Sequence, residues 1–265
     1  MIDNPRSPRV RAVAKLAKRD GRAESGRFLL EGPQAVREAL AFRPDLLIDI
    51  YATKSAMDRH GDLAKAAKDA RVNVDSVSEK VLEAMADTVS PQGIVAVAKQ
   101  FSSSLAELVA LRPALVAVLE EIRDPGNAGT ILRAADAAGA DAVVFSGQSV
   151  DPYNPKVVRS TTGSMFHVPL VVGVTLAETV DALRGAGLQV LAADVSGDDL
   201  LEARAAGQLA APTAWVFGNE ANGLDAERLA LADRALRLPI FGRAESLNLA
   251  TAASVCLYES AFAQR

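Results

Sequence analysis

Short apolar runs alternate with amphipathic stretches over the N-terminal part of the chain. The runs have the length of buried strands, and the stretches between them have helical periodicity. The predicted strands are 28–32, 46–53, 72–77 and 93–99, and the clearest predicted helices are 33–42 and 78–87. This order of elements predicts a compact α/β unit of ordinary domain size.

The alternation restarts after Leu105, beyond a polar stretch with three consecutive serines, 100–104, that is typical of a linker. The predicted strands are 114–122, 141–145, 169–174, 188–195 and 213–218. Continuously apolar strands joined by helices indicate a mainly parallel sheet covered on both faces, with ligands at the carboxyl ends of its strands. We therefore expect two α/β domains, 1–104 and 105–265.

Composition narrows the class of protein. With 49% hydrophobic and 23% charged residues, the 265-residue chain can fold around one large or two modest cores. Cys256 is the single cysteine, which excludes an intrachain disulfide and a cysteine-based metal site, and His60 and His167 lack metal-ligand neighbours. No signal core or membrane-length apolar run is present, so we expect a cytoplasmic protein without a metal.

The charge is unevenly distributed. The chain carries −4 overall, but residues 1–27 hold eight Lys and Arg side chains against three acidic ones, a local charge of +5 that leaves −9 for the remainder. A basic arm of this kind, which includes Arg9 and Arg27, predicts contact with an RNA backbone. A solvated helix face explains the same charges nearly as well.

The first chemically dense loop, DPGNAGTILRAADAAG, follows the predicted strand 114–122. Its position predicts that Asn127 caps a helix that carries Arg133 one to two turns later. For this segment alone, a cap and a surface ion pair are the simpler interpretation.

The second loop, VFGNEANGL, covers residues 216–224 and contains Gly218, Asn219 and Glu220. An unpaired carboxylate at the closed end of an apolar strand would pay a desolvation cost. Glu220 should therefore have a fixed partner, either an arginine or backbone donors, in a structural or a functional role.

The third segment, LPIFGRAESLNLATAASVCLYE, covers residues 238–259. A predicted strand ends in Pro239, and Ser246 and Asn248 open the last helix. That helix is rich in small residues, which permits close packing, a subunit contact, or both.

The three segments together resemble the signature motifs of the SpoU (TrmH-like) family of RNA methyltransferases. The resemblance rests on Asn127 and Arg133, the GNE at 218–220 and PIFGRAESLN at 239–248, and it covers residues 113–263. FLLEGPQAVREAL and SPQGIVAVA in the N-terminal half resemble the L30e-like substrate-binding domain of the family. The resemblance implies a parallel SPOUT-type sheet with a C-terminal trefoil knot, and a homodimer with each site near the subunit interface.

The same resemblance implies S-adenosylmethionine as cofactor and 2′-O-methylation of a ribose. The cofactor-binding residues it implies are Gly218, Leu238, Leu247, Asn219, Ile240 and Ala193, with Asp194 nearby. The catalytic residues it implies are Arg133, Asn127, Glu220, Ser246 and Asn248. Since a guanidinium is a poor proton acceptor, we expect Arg133 to hold an RNA phosphate and to stabilise the developing alkoxide.

The resemblance favours ribosomal RNA as the substrate, with transfer RNA as the main alternative. In the segment 151–169, Lys156 and Arg159 are candidate phosphate contacts, although exposed helix charges explain them equally well. A catalytically silent RNA-binding assembly factor is the alternative from another class. A dinucleotide-binding enzyme is disfavoured because the one clear G-x-G, at 185–187, precedes a strand instead of following one.

Overall fold

The computed structural model describes residues 1–265, which form helices and strands in alternation. The helices are α1 (Pro8–Ala14), α2 (Arg19–Ser25), α3 (Pro33–Phe42), α4 (Lys54–Arg59), α5 (Gly61–Asp69), α6 (Glu79–Met85), α7 (Leu105–Ala110), α8 (Pro125–Ala138), α9 (Pro155–Thr161), α10 (Leu176–Gly185), α11 (Leu200–Ala205), α12 (Ala226–Leu229) and α13 (Leu249–Ala263). The strands are β1 (Arg27–Glu31), β2 (Leu47–Ala52), β3 (Asn73–Ser76), β4 (Ile94–Lys99), β5 (Leu115–Glu120), β6 (Ala142–Ser146), β7 (Leu170–Val174), β8 (Gln189–Asp199), β9 (Thr213–Phe217) and β10 (Arg234–Arg237). None of these helices is long and apolar enough to span a bilayer.

The chain divides into two compact units. The first consists of residues 1–101 with 151–167, and the second of residues 102–150 with 168–265. The change from one unit to the other at Phe101 falls within the stretch 100–104 that the sequence marks as a linker. The segment 151–167 packs with the first unit although it lies far along the chain, and the boundaries 1–104 and 105–265 stay predictions.

The first unit contains a four-stranded mixed sheet in the order β1-β4-β2-β3. Strand β4 is antiparallel to β1 and β2, and β2 is parallel to β3. The four strands lie where the apolar runs predict them. Their buried side chains, such as Leu29, Tyr51 and Val95, pack with Leu82 and Met85 of α6 in one core.

Ion pairs tie the segment 151–167 into the first unit. The buried Arg22 binds Asp151 at 2.7 Å and donates to two backbone carbonyls of the preceding turn. Arg159 on α9 binds Glu31 at 2.8 Å and Asp87 at 3.0 Å. These pairs neutralise the charges that this segment brings into the unit.

The second unit contains a six-stranded sheet in the order β10-β8-β9-β5-β6-β7, and every neighbouring pair is parallel. The predicted parallel sheet is confirmed. Strand β8 extends to Asp199, beyond the predicted 188–195, and β10 ends at Arg237, so the predicted strand end at Pro239 is wrong. The side chains on both faces of the central strands are buried, as continuously apolar strands require.

Helix α13 packs on α8 and on strands β5 and β9. Its small residues Ala250 and Ala253 are buried. Ser260, one turn from its end, accepts a hydrogen bond from the indole of the buried Trp215 at 2.9 Å. Because parallel strands end at the same edge of a sheet, the segments after β5, β8, β9 and β10 gather at one edge.

Candidate active site

The loop after β5 starts helix α8 with an aspartate cap. Asp124 Oδ1 accepts a hydrogen bond from the Asn127 backbone N–H at 2.7 Å, and Pro125 occupies the first helical turn. The predicted cap at Asn127 is therefore wrong. Asp followed by Pro is a common helix start, and that signal was present in the sequence. The shift leaves the side chain of Asn127 available for other contacts.

Glu220 is held by the backbone of the loop after β5. Its carboxylate accepts hydrogen bonds from the N–H groups of Arg123 at 3.2 Å and Asp124 at 3.0 Å, and from the Asn127 amide at 3.3 Å. The predicted fixed partner is confirmed, in its backbone-donor form. Glu220 lies beyond the end of β9 and is exposed, so burial at the strand end, the expected reason for this partner, is not what requires it.

Asn248 connects this cluster to the last helix. Its Oδ1 caps α13 by accepting from the N–H groups of Ala250 and Thr251 at 2.9 and 3.2 Å. Its Nδ2 donates to the Oδ1 of Asn127 at 3.0 Å. Glu220, Asn127 and Asn248, from three separate segments of the chain, therefore form one continuous hydrogen-bonded row.

Asn219 shapes the loop after β9. Its Nδ2 donates to the carbonyl of Glu121 at 2.9 Å, and its Oδ1 accepts from the backbone N–H groups of Ala221 and Asn222 at 3.0 and 3.3 Å. Gly218 is buried, and a Cβ there would come within 2.7 Å of the Gly223 backbone. Only glycine permits this approach, so Gly218 serves the fold of the loop.

A cavity of about 520 Å³ lies between these loops in the second unit, within the usual size range of small-molecule sites. The segments that follow β5, β9 and β10 contribute to its wall, and so do residues within β8 and at the end of β10. The lining residues are Asn127, Ala193, Asp194, Val195, Asn219, Glu220, Ala221, Asn222, Gly223, Leu236, Arg237, Leu238, Ile240, Glu245, Ser246, Leu247, Asn248, Leu249, Ala252 and Cys256.

Most of the residues that the family resemblance implies are brought together at this cavity. Four of the implied catalytic residues and five of the implied cofactor-binding residues line it, and they are Asn127, Glu220, Ser246, Asn248, Ala193, Asn219, Leu238, Ile240 and Leu247. Gly218 and Arg133 are not among the lining residues. Arg133 lies on the exposed face of α8, about two turns beyond Asn127. The roles of all these residues stay predictions.

Three lining residues carry chemistry that the sequence analysis did not assign to the site. Arg237 ends β10 and donates to the carbonyl of Gly197 at 2.8 Å. Glu245 adds a carboxylate beside Ser246, and Cys256 contributes a buried thiol from α13. Arg237 directly precedes the third motif and Glu245 lies within it, and that position is the signal that would have identified them.

The four candidate RNA contacts, all in the first unit, differ in how they are engaged. Arg9 binds Asp49 at 3.2 Å and Asp75 at 2.5 Å and lies over the Tyr51 ring. Arg159 is held by the two ion pairs described above. Arg27 and Lys156 have exposed side chains without an ion pair.

The sequence matches two family models. The model of the SpoU rRNA Methylase family matches residues 114–258. The model described as RNA 2'-O ribose methyltransferase substrate binding matches residues 29–104. The first match contains every residue of the hydrogen-bonded row and the cavity wall.

Known proteins are similar over nearly the whole chain. The 23S rRNA (guanosine(2553)-2'-O)-methyltransferase RlmP of Bacillus subtilis (strain 168) is 33% identical over 260 residues, 97% of each chain. The 23S rRNA (uridine(2479)-2'-O)-methyltransferase of Streptomyces viridochromogenes is 30% identical, over 93% of this chain and 86% of that protein. The crystal structure of an AdoMet-bound rRNA methyltransferase from Sinorhizobium meliloti superposes with a TM-score of 0.85 at 30% identity, covering 98% and 96% of the two chains.

Proposed function

This chain belongs to the SpoU rRNA methylase family, and we propose that it transfers a methyl group from S-adenosylmethionine to a ribose 2′-hydroxyl of 23S ribosomal RNA. The observation that carries the proposal is the row Glu220–Asn127–Asn248 in the wall of one cavity. The relatives that support the ribosomal substrate act on a guanosine in one case and a uridine in the other. We therefore assign no base.

The cavity suits S-adenosylmethionine in charge and in polarity. The carboxylates of Asp194, Glu220 and Glu245 line it against the single guanidinium of Arg237, which favours a ligand with positive groups. Leucine and isoleucine side chains of the third motif supply apolar wall for an adenine ring. When bound, the cofactor supplies an electrophilic methyl group on a sulfonium.

The hydrogen-bonded row orients the ribose. Glu220 receives its hydrogen bonds only from neutral N–H groups, so its carboxylate stays available to accept from a ribose hydroxyl. Asn127 and Asn248 fix each other, and Ser246 adds a hydroxyl beside them. The hydroxyl is held in one orientation when the RNA binds. The entropic cost of orienting it is therefore not part of the activation barrier for methyl transfer.

We assign Arg133 to the RNA phosphate next to the reacting ribose. Its guanidinium is exposed on α8 and carries its five donors without an ion pair. Arg133→Lys keeps the charge but loses the planar fork, so we expect a strongly reduced kcat and an unchanged affinity for S-adenosylmethionine. Near-normal turnover of this variant would contradict the assignment.

We assign RNA recognition to residues 1–104, and within them to the cations of the basic arm that form no ion pair. Arg11 lies on α1, Lys15 directly follows that helix and Lys18 directly precedes α2; the three form a short basic stripe along residues 11–18 and are exposed without ion pairs. Arg27 and Lys156 are also free. Unpaired cations of this kind can bind RNA phosphates without first breaking ion pairs within the protein.

The stripe is tested by replacing Arg11, Lys15 and Lys18 together with Gln. We expect weaker RNA binding and a slope of log affinity against log salt that is smaller by about two to three. A matched control replaces Lys65 and Lys68 of α5, which are also exposed. Equal salt slopes for the triple variant and the parent would remove the stripe from the RNA interface.

We propose that two copies of the chain associate through α13. Val255, Tyr258 and Phe262 lie three and four residues apart on one face of this helix and are 38%, 37% and 64% exposed. An apolar stripe of this kind suits an isologous contact between identical helices. Phe262→Glu should shift the sedimentation coefficient to that of a monomer, whereas Leu111→Glu, at an exposed leucine after α7, should not.

From the family resemblance we also propose a C-terminal trefoil knot and a cytoplasmic location. The placement of β10 at the edge of the sheet beside β8, followed by the return of α13 onto α8, is compatible with a threaded chain end. A knotted chain should refold slowly after complete denaturation. The ribosomal substrates of the relatives support the cytoplasm.

The proposed function is tested with purified protein, S-adenosylmethionine and 23S rRNA that lacks ribose methylation. We expect one new 2′-O-methylated position, mapped by its resistance to alkaline cleavage. Methylation of transfer RNA in place of 23S rRNA would overturn the assignment of 23S rRNA as the substrate. Calorimetry with S-adenosylmethionine distinguishes an enzyme from a silent binder, because absence of cofactor binding would overturn methyl transfer altogether.

A further inference from the structure

Arg228 lies on α12, directly after the loop that carries Asn219 and Glu220. Its Nε donates to Glu120 at 2.8 Å and its Nη2 to Glu121 at 2.9 Å. Its Nη1 donates to Asp225, the residue that caps α12. One guanidinium thus connects the end of this loop to the end of strand β5. Arg228 is not among the residues that line the cavity.

The Glu120 carboxylate depends on this contact. Its side chain is 4% exposed, and its two oxygens are bound by Arg228 and by the Ser146 hydroxyl at 2.6 Å. The hydrogen bond that Arg228 donates to Glu120 is the main cause of the raised pKa of Arg228. Two adjacent carboxylates repel each other, and the guanidinium between them compensates both charges.

Glu121 transmits the contact to the site through its backbone. Its φ of +53° is a left-handed conformation that a residue other than glycine adopts only when its surroundings hold it there. Its carbonyl accepts the hydrogen bond from Asn219. Arg123 and Asp124, whose N–H groups bind Glu220, follow one residue later. The backbone that holds the cavity loop is therefore held by Arg228.

We propose that Arg228 is a positioning residue for methyl transfer, which fixes the end of β5 and thereby the places of Asn219 and Glu220. The inference rests on the proposed function, since it concerns the same site. The loop 218–228 is attached at both ends to residues 120–124, which form the end of β5 and the segment after it: near the start of the loop by Asn219 and Glu220, and at its end by Arg228. Release of the far attachment lets the loop and the left-handed Glu121 relax together.

The experiment must separate positioning from stability, because removal of Arg228 alone leaves a buried carboxylate unpaired. The double variant Glu120→Gln and Arg228→Gln removes both charges at once. A second variant, Glu121→Ala, keeps the buried pair of Arg228 and Glu120 and removes the contact of Arg228 to Glu121, together with the longer exposed pair of Glu121 and Arg123 at 3.9 Å. Arg184→Gln is the matched control, because Arg184 binds Asp233 at 2.8 Å near the start of β10, at the opposite edge of the sheet.

For the double variant and for Glu121→Ala, we expect folded protein with about tenfold weaker calorimetric affinity for S-adenosylmethionine and about tenfold lower kcat. Arg228→Lys should lie between parent and double variant, since it keeps the charge without the fork. Arg184→Gln should match the parent in both measurements. Folded variants with the affinity and kcat of the parent would overturn the positioning role.

The two proposals fail in different ways. If the parent binds S-adenosylmethionine but methylates no RNA, the proposed function falls while the affinity comparison still decides whether Arg228 positions the loop. If the parent methylates RNA and the variants lose only thermal stability, with affinity and kcat unchanged, Arg228 is purely structural.

Discussion

Asn248 donates a hydrogen bond from its Nδ2 to the Oδ1 of Asn127 at 3.0 Å, across 121 positions of sequence. Each partner has a second contact, since Asn248 caps α13 and Asn127 donates to Glu220. The first helical turn of α13 and the third residue of α8 are therefore locked together at the cavity wall. The contact joins the first and third sequence motifs directly.

This relationship predicts different outcomes for two substitutions of Asn248. Asn248→Ser keeps an oxygen that caps α13 but is too short to reach Asn127, so thermal stability should be nearly unchanged while kcat falls. Asn248→Ala should in addition lose about 1 kcal/mol of stability with the cap. Thermal unfolding and a methylation assay measure the two effects. The control Thr175→Ala, which removes the cap of α10, should lower stability and leave kcat intact.

The buried pair of Trp215 and Ser260 gives a stability prediction for the second unit. Ser260→Ala removes the acceptor of a fully buried indole N–H, which should cost about 1–3 kcal/mol. Trp215 is the only tryptophan, so its fluorescence follows unfolding directly. Ser254→Ala is the same chemical change on the same helix, where the hydroxyl only bonds to the carbonyl of Ala250. Equal losses for both variants would contradict the role of the indole contact.

The sequence predicted the strands well because burial on both faces leaves a continuous apolar run, as in β5 and β9. The sequence did not predict correctly which polar side chains pair with each other, because that choice depends on segments far apart in the chain. Asn127 and Asp124 are both good caps, and only the geometry of the Asn248 contact explains why Asn127 is used elsewhere. Arg22 belongs by sequence to the basic arm, yet it is only 2% exposed. It is buried in an ion pair with Asp151, a residue far away in the sequence.

That burial makes Arg22 a stability determinant of the first unit. Arg22→Met should destabilise the unit by roughly 3 kcal/mol, since Asp151 and two carbonyls lose their partner. Hydrogen–deuterium exchange should show faster exchange in 16–26 and 151–155. Arg37→Met, which breaks an exposed pair with Asp62, should change exchange little. Unchanged exchange in the Arg22 variant would contradict a structural role for the buried pair.

The buried thiol in the cavity wall makes a prediction about reactivity. Burial raises the pKa of Cys256 to about 12, so the neutral thiol persists far above the pH at which an ordinary cysteine ionises. Because the thiolate is the nucleophile, alkylation of the folded protein at pH 8 should be about 10³-fold slower than in urea. The rate should keep rising with pH instead of levelling near 8.5, and S-adenosylmethionine should slow it further, because Cys256 lines the cavity. Rapid labelling of folded protein at pH 8, measured by mass spectrometry, would show that this wall of the cavity is open to solvent.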